Sequence, residues 1–291
     1  MENKTIPAKS NGYSERILVF IDVLGFSDAI KKSASDINAY KKIDKLLEEL
    51  QKIAVRRTKD FHVKISSFSD NFFISCPMVS KQSFNEVCWI ISEFCFKTIS
   101  YGFFARGALT VGLCQEKAGI MFGPACVRAY EIERTLALWP RCIIDPTSLT
   151  RSDIYPNNSW KKYNHYVLIG NDGLPYLDYL GYAFTSYLVR SFLKSQRSAP
   201  EALKDLILAP EVALKALRGH KNAIYQAVQE ARQNSEKTIL LLTKYYPLAL
   251  YHNLVIRRFS PDENNLGYFK RLSDNYEYIT GTTINLSLIH I

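Results

Sequence analysis

The stretch that most constrains this chain is Ile17-Leu-Val-Phe-Ile-Asp-Val-Leu-Gly-Phe-Ser27, five apolar residues running into an acid and then a glycine turn. Such a run reads as a buried central strand that ends on a carboxylate, Asp22. Gly25 lets the chain turn through a conformation that other residues resist, and a helix follows over Asp28 to Lys32 at least. The unpaired N–H groups of a strand-to-helix turn suit an anion such as a triphosphate. A carboxylate beside such a cradle makes chemical sense with a divalent cation between the two.

A second acid extends the pattern. His62-Val-Lys-Ile-Ser-Ser-Phe-Ser-Asp-Asn-Phe-Phe-Ile-Ser75 reads as two strands folded about Ser69-Asp70-Asn71, with Asp70 at the hairpin tip. Two acids at the ends of neighbouring strands suit a pair of metal ions about 3.5–4 Å apart, as in-line phosphoryl chemistry uses. The structural alternative is that Asp22 caps a helix and Asp70 only shapes a turn. Strand alternation puts Lys64 and Ser66 on the same side as Asp70, which makes them candidates for base or phosphate contact.

The rest of the chain supports an α+β fold with helices packed on one face of a sheet. Ile37, Tyr40, Ile43, Leu47, Leu50 and Ala54 recur at helical spacing, predicting a helix over about 36–57 capped by Ser35 or Asp36. A second stripe, Phe84 to Thr98, predicts a helix over 82–100. A strand over 103–113 with a hairpin partner at 117–122, a helix from Gly123-Pro124 to about Leu138, a strand at 141–144 and a short helix over 146–151 follow. Asn171-Asp172-Gly173 marks a last hairpin turn between 165–169 and 175–178. Three divisions emerge: a loose arm over 1–14, an α+β domain over 15–180 and a mostly helical extension over 181–291. The extension shows helical patterns over 180–197, 201–218 and 220–250, with interruptions at Pro200, Pro210 and Pro247, and alternation beyond 251 that reads as edge strands.

Composition narrows the class. A chain of 291 residues with 47% hydrophobic content is globular, not disordered. No apolar run reaches the ~20 residues that cross a bilayer, and Met1 to Ser10 lacks a signal-peptide core. The six cysteines have no paired spacing and lie mostly in apolar segments, as buried thiols of a reducing, cytoplasmic setting do. The net charge of +9 is mixed with acids, as in Lys41-Lys42-Ile-Asp44-Lys45. Solvated helix faces and a basic nucleotide cleft account for it, and no stable nucleic-acid or membrane binding is expected.

Four motifs in order resemble a family over about residues 15–180. Asp22-Val-Leu-Gly-Phe-Ser27 resembles the metal and phosphate motif of class III nucleotidyl cyclases, and Ser69-Asp70-Asn-Phe-Phe-Ile-Ser75 their second metal hairpin. Arg106-Gly-Ala-Leu-Thr-Val-Gly112 and Phe122-Gly123-Pro-Ala-Cys-Val-Arg-Ala-Tyr-Glu-Ile-Glu133 are similar to the later strand and helix. The FSDN hairpin and the helix ending look most like the pyrimidine cyclases of bacterial anti-phage (Pycsar) systems. The resemblance implies a ferredoxin-like palm and two Mn²⁺ or Mg²⁺ ions on Asp22, Asp70 and the Val23 carbonyl. It also implies a phosphate cradle at Leu24, Gly25, Phe26 and Ser27, and a head-to-tail homodimer with sites at its interface. The implied product is cyclic UMP from UTP, or cyclic CMP from CTP, made on a phage trigger and read by a separate cyclic-nucleotide-responsive effector.

Two departures from the family pattern bear on substrate and catalysis. Ser66 and Ile120 stand where purine cyclases read the base, which argues against ATP and GTP. Val127 and Glu131 stand where the family places its transition-state Asn and Arg. Arg128 and Arg134, at three residues either side of Glu131, and Arg106 on the preceding strand are the candidate replacements; Glu131 and Glu133 are candidates to order them. The competing readings are a non-catalytic nucleotide-binding module and a palm-type nucleic-acid enzyme. The latter needs a basic groove with stacking aromatics that the sequence does not show.

Overall fold

The computed structural model describes residues 12–117, 120–151, 167–181, 218–230, 232–233 and 238–259. Its spine is β1 (Ser14–Leu24), which pairs antiparallel with β3 (Asn71–Pro77) on one side and β4 (Phe104–Lys117) on the other. β2 (Lys64–Phe68) lies outside β3, and β6 (Cys142–Ile144) runs parallel to β4. With β7 (Val167–Ile169) and β8 (Pro175–Leu177), the sheet order is β2-β3-β1-β4-β6-β8-β7, and β5 (Ile120–Phe122) folds back on β4. The strand containing Asp22 therefore lies inside the sheet with both edges paired. It continues to Leu24, two residues past the expected end. The expected arm is also shorter: Tyr13 packs edge-on against Phe122 at 5.9 Å and Ser14 already belongs to β1; residues 1–11 lie outside the described set.

The helices are α1 (Phe26–Ser33), α2 (Ile37–Phe61), α3 (Lys81–Ser100), α4 (Pro124–Leu136), α5 (Pro146–Leu149), α6 (218–230) and α7 (Thr238–Phe259). Asp36 starts α2, its Oδ1 accepting the N–H of Asn38 at 2.9 Å and of Ala39 at 3.2 Å. Alternation along β1 divides the packing. Ile17, Val19, Ile21 and Val23 join the main core with Leu46 and Leu50 of α2 and Phe84, Val87 and Ile91 of α3. Leu18 and Phe20 point the other way, onto Ala125 and Ala129 of α4. The two long helices thus share one face as expected, while α4 covers part of the other. Gly107 permits the close approach of β4 to β1, since a side chain there would collide with the Phe20 carbonyl.

The core does not stop at residue 180. Ile224 of α6 and Leu248, Tyr251 and Val255 of α7 are buried in the same cluster as β1 and α3. α7 runs through Pro247, where an interruption was expected; burial of Leu248, Tyr251 and Val255 after the proline and the packing of Tyr245 before it hold the helix across the missing hydrogen bond. Residues 251–259 are helical, not edge strand. The expected helices at 182–217, and any strands beyond 259, lie outside the described residues. No helix among the described residues is long and apolar enough to cross a membrane.

Polar side chains fasten these helices to the sheet. The Tyr251 hydroxyl donates to Asp178 at 2.7 Å and accepts the N–H of Leu180 at 3.0 Å. Tyr179 meets His220 at 3.0 Å, and His220 meets His252 at 3.0 Å, the two rings stacked. Both imidazoles are buried. Burial pulls His220 down to about 3 and lowers His252 as well. Each is neutral when folded and gains a proton more readily when unfolded, so their contribution is complete above about pH 6.5 and is lost as pH falls toward 3. The denaturant midpoint should accordingly drop between pH 7.5 and pH 5, together with the near-UV signal of the Tyr179–Tyr251 cluster. An unchanged midpoint over that interval would contradict the buried, neutral assignment.

Candidate active site

The hairpin and the β1 turn are stitched together at their tips. Asp22 is opposite Asn71 in the β1–β3 ladder, and the Val23 N–H donates to the Asp70 carbonyl at 2.9 Å. Ser69 holds a left-handed φ of 57° in the tight turn before Asp70. The Ser27 hydroxyl, on the first turn of α1, donates to Asp70 Oδ2 at 2.6 Å, and Asn71 Nδ2 donates to Oδ1 at 3.1 Å. The two acids thus come together across the β1–α1 turn. The N-cap of α1 is Gly25, at φ 78°, not Asp22, and Asp70 ties the hairpin to a helix 43 residues away in sequence.

Gly25 offers no side chain to cap α1, so the first N–H groups, those of Phe26 and Ser27 among them, have no intrahelical partner. Phe26 is buried against Phe103 at 5.5 Å and fixes the entry of the helix; Leu24 is half-buried against the same core. The positive end of α1 therefore lies beside the two carboxylates.

Asp22 has a partner the sequence placed only loosely. Arg106, its cross-strand neighbour on β4, donates Nε–H to Asp22 Oδ2 at 3.0 Å. The same Nε lies 2.7 Å from Glu133 Oε1 of α4, yet one N–H cannot point at both, and that Glu133 oxygen accepts no hydrogen bond among the described residues. Burial raises the pKa of Asp22, with Arg106 opposing it and the Asp70 charge adding to it. Burial raises Glu133 as well, again against Arg106. Asp70 is held low, chiefly by the Ser27 hydrogen bond.

The remaining candidates are dispersed. Lys64 and Ser66 share the Asp22 face through the pairs Lys64–Ser75–Leu18 and Ser66–Phe73–Phe20. Lys64 is committed to Glu116 at 2.7 Å, and Ser66 is half-buried. Arg128 forks onto Asp145, Nε to Oδ2 at 3.0 Å and Nη2 to Oδ1 at 3.4 Å; Asp145 also caps α5 through the Thr147 N–H. Arg134 and Glu131 are exposed, as is Val127, at 58%. Glu133 therefore contacts Arg106, not the α4 arginines it was a candidate to order. Glu133 had a sequence signal: it falls within the stripe Ala125, Ala129, Ile132 that α4 buries, where an acid needs a partner. Lys244 of α7 was missed altogether, because it lies beyond the recognisable motifs.

No family model and no curated protein matches the sequence. Among solved structures, the chain is similar to the adenylyl cyclase CyaB from P. aeruginosa, with a TM-score of 0.41 and 12% identity over 57% of this chain and 93% of that one. It is also similar to a bacterial light-regulated adenylyl cyclase, with a TM-score of 0.37 and 14% identity over 57% and 91% of the two chains. At these values the likeness concerns the path of the chain alone.

Proposed function

We propose that this chain is a nucleotidyl cyclase acting on a pyrimidine nucleoside triphosphate, converting UTP to 3′,5′-cyclic UMP and diphosphate. One observation carries the reading: Asp22 and Asp70 are brought together from neighbouring strands beside the uncapped N-terminus of α1. In the reaction the ribose 3′-oxygen bonds to the α-phosphorus, the bond to diphosphate breaks, and the hydroxyl proton passes to solvent. The α1 amides and the Gly25 turn hold the β- and γ-phosphates. Ser66, small and hydroxylated on the Asp22 face, leaves room for a pyrimidine and offers no purine-type contact.

The donor set fits Mn²⁺ or Mg²⁺. Asp22, Asp70 and the Val23 carbonyl would supply part of the shell, since no group of three or more His, Cys, Asp or Glu that could hold a metal ion is found among the described residues. That suits ions held by one or two carboxylates and completed by phosphate oxygens and water. Such ions supply Lewis-acid stabilisation of the phosphate charge and a more acidic 3′-hydroxyl.

The wider proposal is a second-messenger synthase of anti-phage defence, working as a homodimer in the cytoplasm with an effector that reads the product. A non-catalytic nucleotide-binding module is the alternative that α4 favours, since Val127 and Glu131 present neither an amide nor a guanidinium. Purified protein incubated with Mn²⁺ and each of ATP, GTP, CTP and UTP, with products identified by mass, separates the readings. Cyclic UMP is the expected product. Cyclic CMP alone would move the assignment to cytosine, a cyclic purine would overturn the reading of Ser66, and binding without product would favour the module.

A further inference from the structure

α7 carries a charge to the candidate site that the sheet does not supply. Between Thr238 and Ile256 its only lysine or arginine is Lys244, set in an apolar and aromatic run. The next residue, Tyr245, packs on Phe104 at 5.8 Å. Phe104 pairs with Leu24 at the end of the β1–β4 ladder, two residues from the Asp22–Arg106 pair. α7 therefore docks at the end of the β1–β4 ladder, beside the turn that follows Asp22. Lys244 adjoins Tyr245 and is half-buried; burial lowers its pKa, the Arg106 charge adds to this, and Asp22 opposes it.

A lysine placed for structure alone would snorkel to water or pair with an acid. The outward side of α7 was open to it, since Tyr246, Leu250 and Leu254 are exposed there. Lys244 instead stays half-covered beside Arg106, and no carboxylate lies within ion-pair distance of it among the described residues. Asp22 and Asp70 suit cations but repel a polyanion. Arg106 is already committed to Asp22 and lies against Glu133, whereas Lys244 has no ion-pair partner among the described residues and is able to meet one.

We propose that Lys244 contacts the phosphates of the nucleotide, so that the C-terminal helix is part of the substrate site. The proposal rests on the nucleotide reading above. It predicts that the full-length Lys244→Met variant, with Mn²⁺ present, binds UTP roughly tenfold more weakly, the scale of one charge-assisted contact. Binding of uridine without phosphates should not change, and Lys244→Arg should recover most of the loss. A second measurement needs no variant: Mn²⁺ with UTP, but not Mn²⁺ with uridine, should protect Lys244 of the unmutated chain from an amine-acylating reagent, read by peptide mass. Unmutated protein that binds UTP, with a folded Lys244→Met that binds it equally and no protection of Lys244, would overturn this proposal and leave the nucleotide reading intact. Unmutated protein that binds none of the four triphosphates in Mn²⁺ would overturn both.

Discussion

Asp70→Asn should lose metal-dependent product formation by roughly a hundredfold or more, the scale on which removing one electrostatic stabiliser from a preorganised site acts. Its folding stability should stay within about 1 kcal/mol of the unmutated chain. The two readouts separate because of where Asp70 sits. Its carboxylate lies at a hairpin tip, receives Ser27 and Asn71 as donors, and has no cationic side chain among its described partners. An asparagine can still accept the Ser27 hydrogen bond while removing the charge a divalent cation needs. The check is product mass over time beside a denaturant titration of the same preparation. If the variant keeps more than about a tenth of the activity, Asp70 is not a metal ligand. Asp22→Asn is the less informative variant, because it also removes the charge that pairs with Arg106.

The β1 strand, its glycine turn, the hairpin at Asp70 and the two helical stripes of α2 and α3 were legible because each rests on a local rule: apolar periodicity, a cap or a turn residue. Asp22 and Asp70 could be paired in advance because both lie at the ends of apolar runs that had to be neighbours. Pairings decided by side-chain reach across the sheet were not legible. Arg106 was visible as a strand arginine, but its choice of Asp22 follows from the antiparallel register of β1 and β4, which no local pattern encodes. Arg128 could equally have turned to Glu131 on its own helix; Asp145, brought in by β6 running parallel to β4, offers a bidentate site instead. Lys244 reaches the site only because α7 docks against Phe104, and a lone lysine in an apolar helix gives no hint of where that helix will lie.

Arg106→Met should destabilise the fold by about 3 kcal/mol at pH 7.5, the cost scale of removing one partner from a largely buried ion pair. The substitution keeps an unbranched stem but leaves Asp22 and Glu133 facing each other with no guanidinium between them. Burial already raises both carboxyl pKa values against the opposing pull of Arg106, so removing Arg106 raises them further. An acid whose folded pKa stands above its unfolded value costs nothing below the unfolded value, becomes destabilising as pH rises above it, and reaches its full cost above the folded value. The deficit should therefore be small near pH 4 and grow toward neutrality. Adding Glu133→Gln to Arg106→Met should recover a large part of the loss at pH 7.5, because one of the two buried charges is gone. Denaturant midpoints of the unmutated chain and the single and double variants at both pH values decide it. A deficit that does not change with pH, or a double variant no more stable than the single, would show that Arg106 supports the fold by packing, not by holding two acids. The recovery matters for function as well: if Arg106 is the cation that keeps Asp22 ionised before metal binds, the single variant should also need more Mn²⁺ for half-maximal binding, and the double variant less than the single.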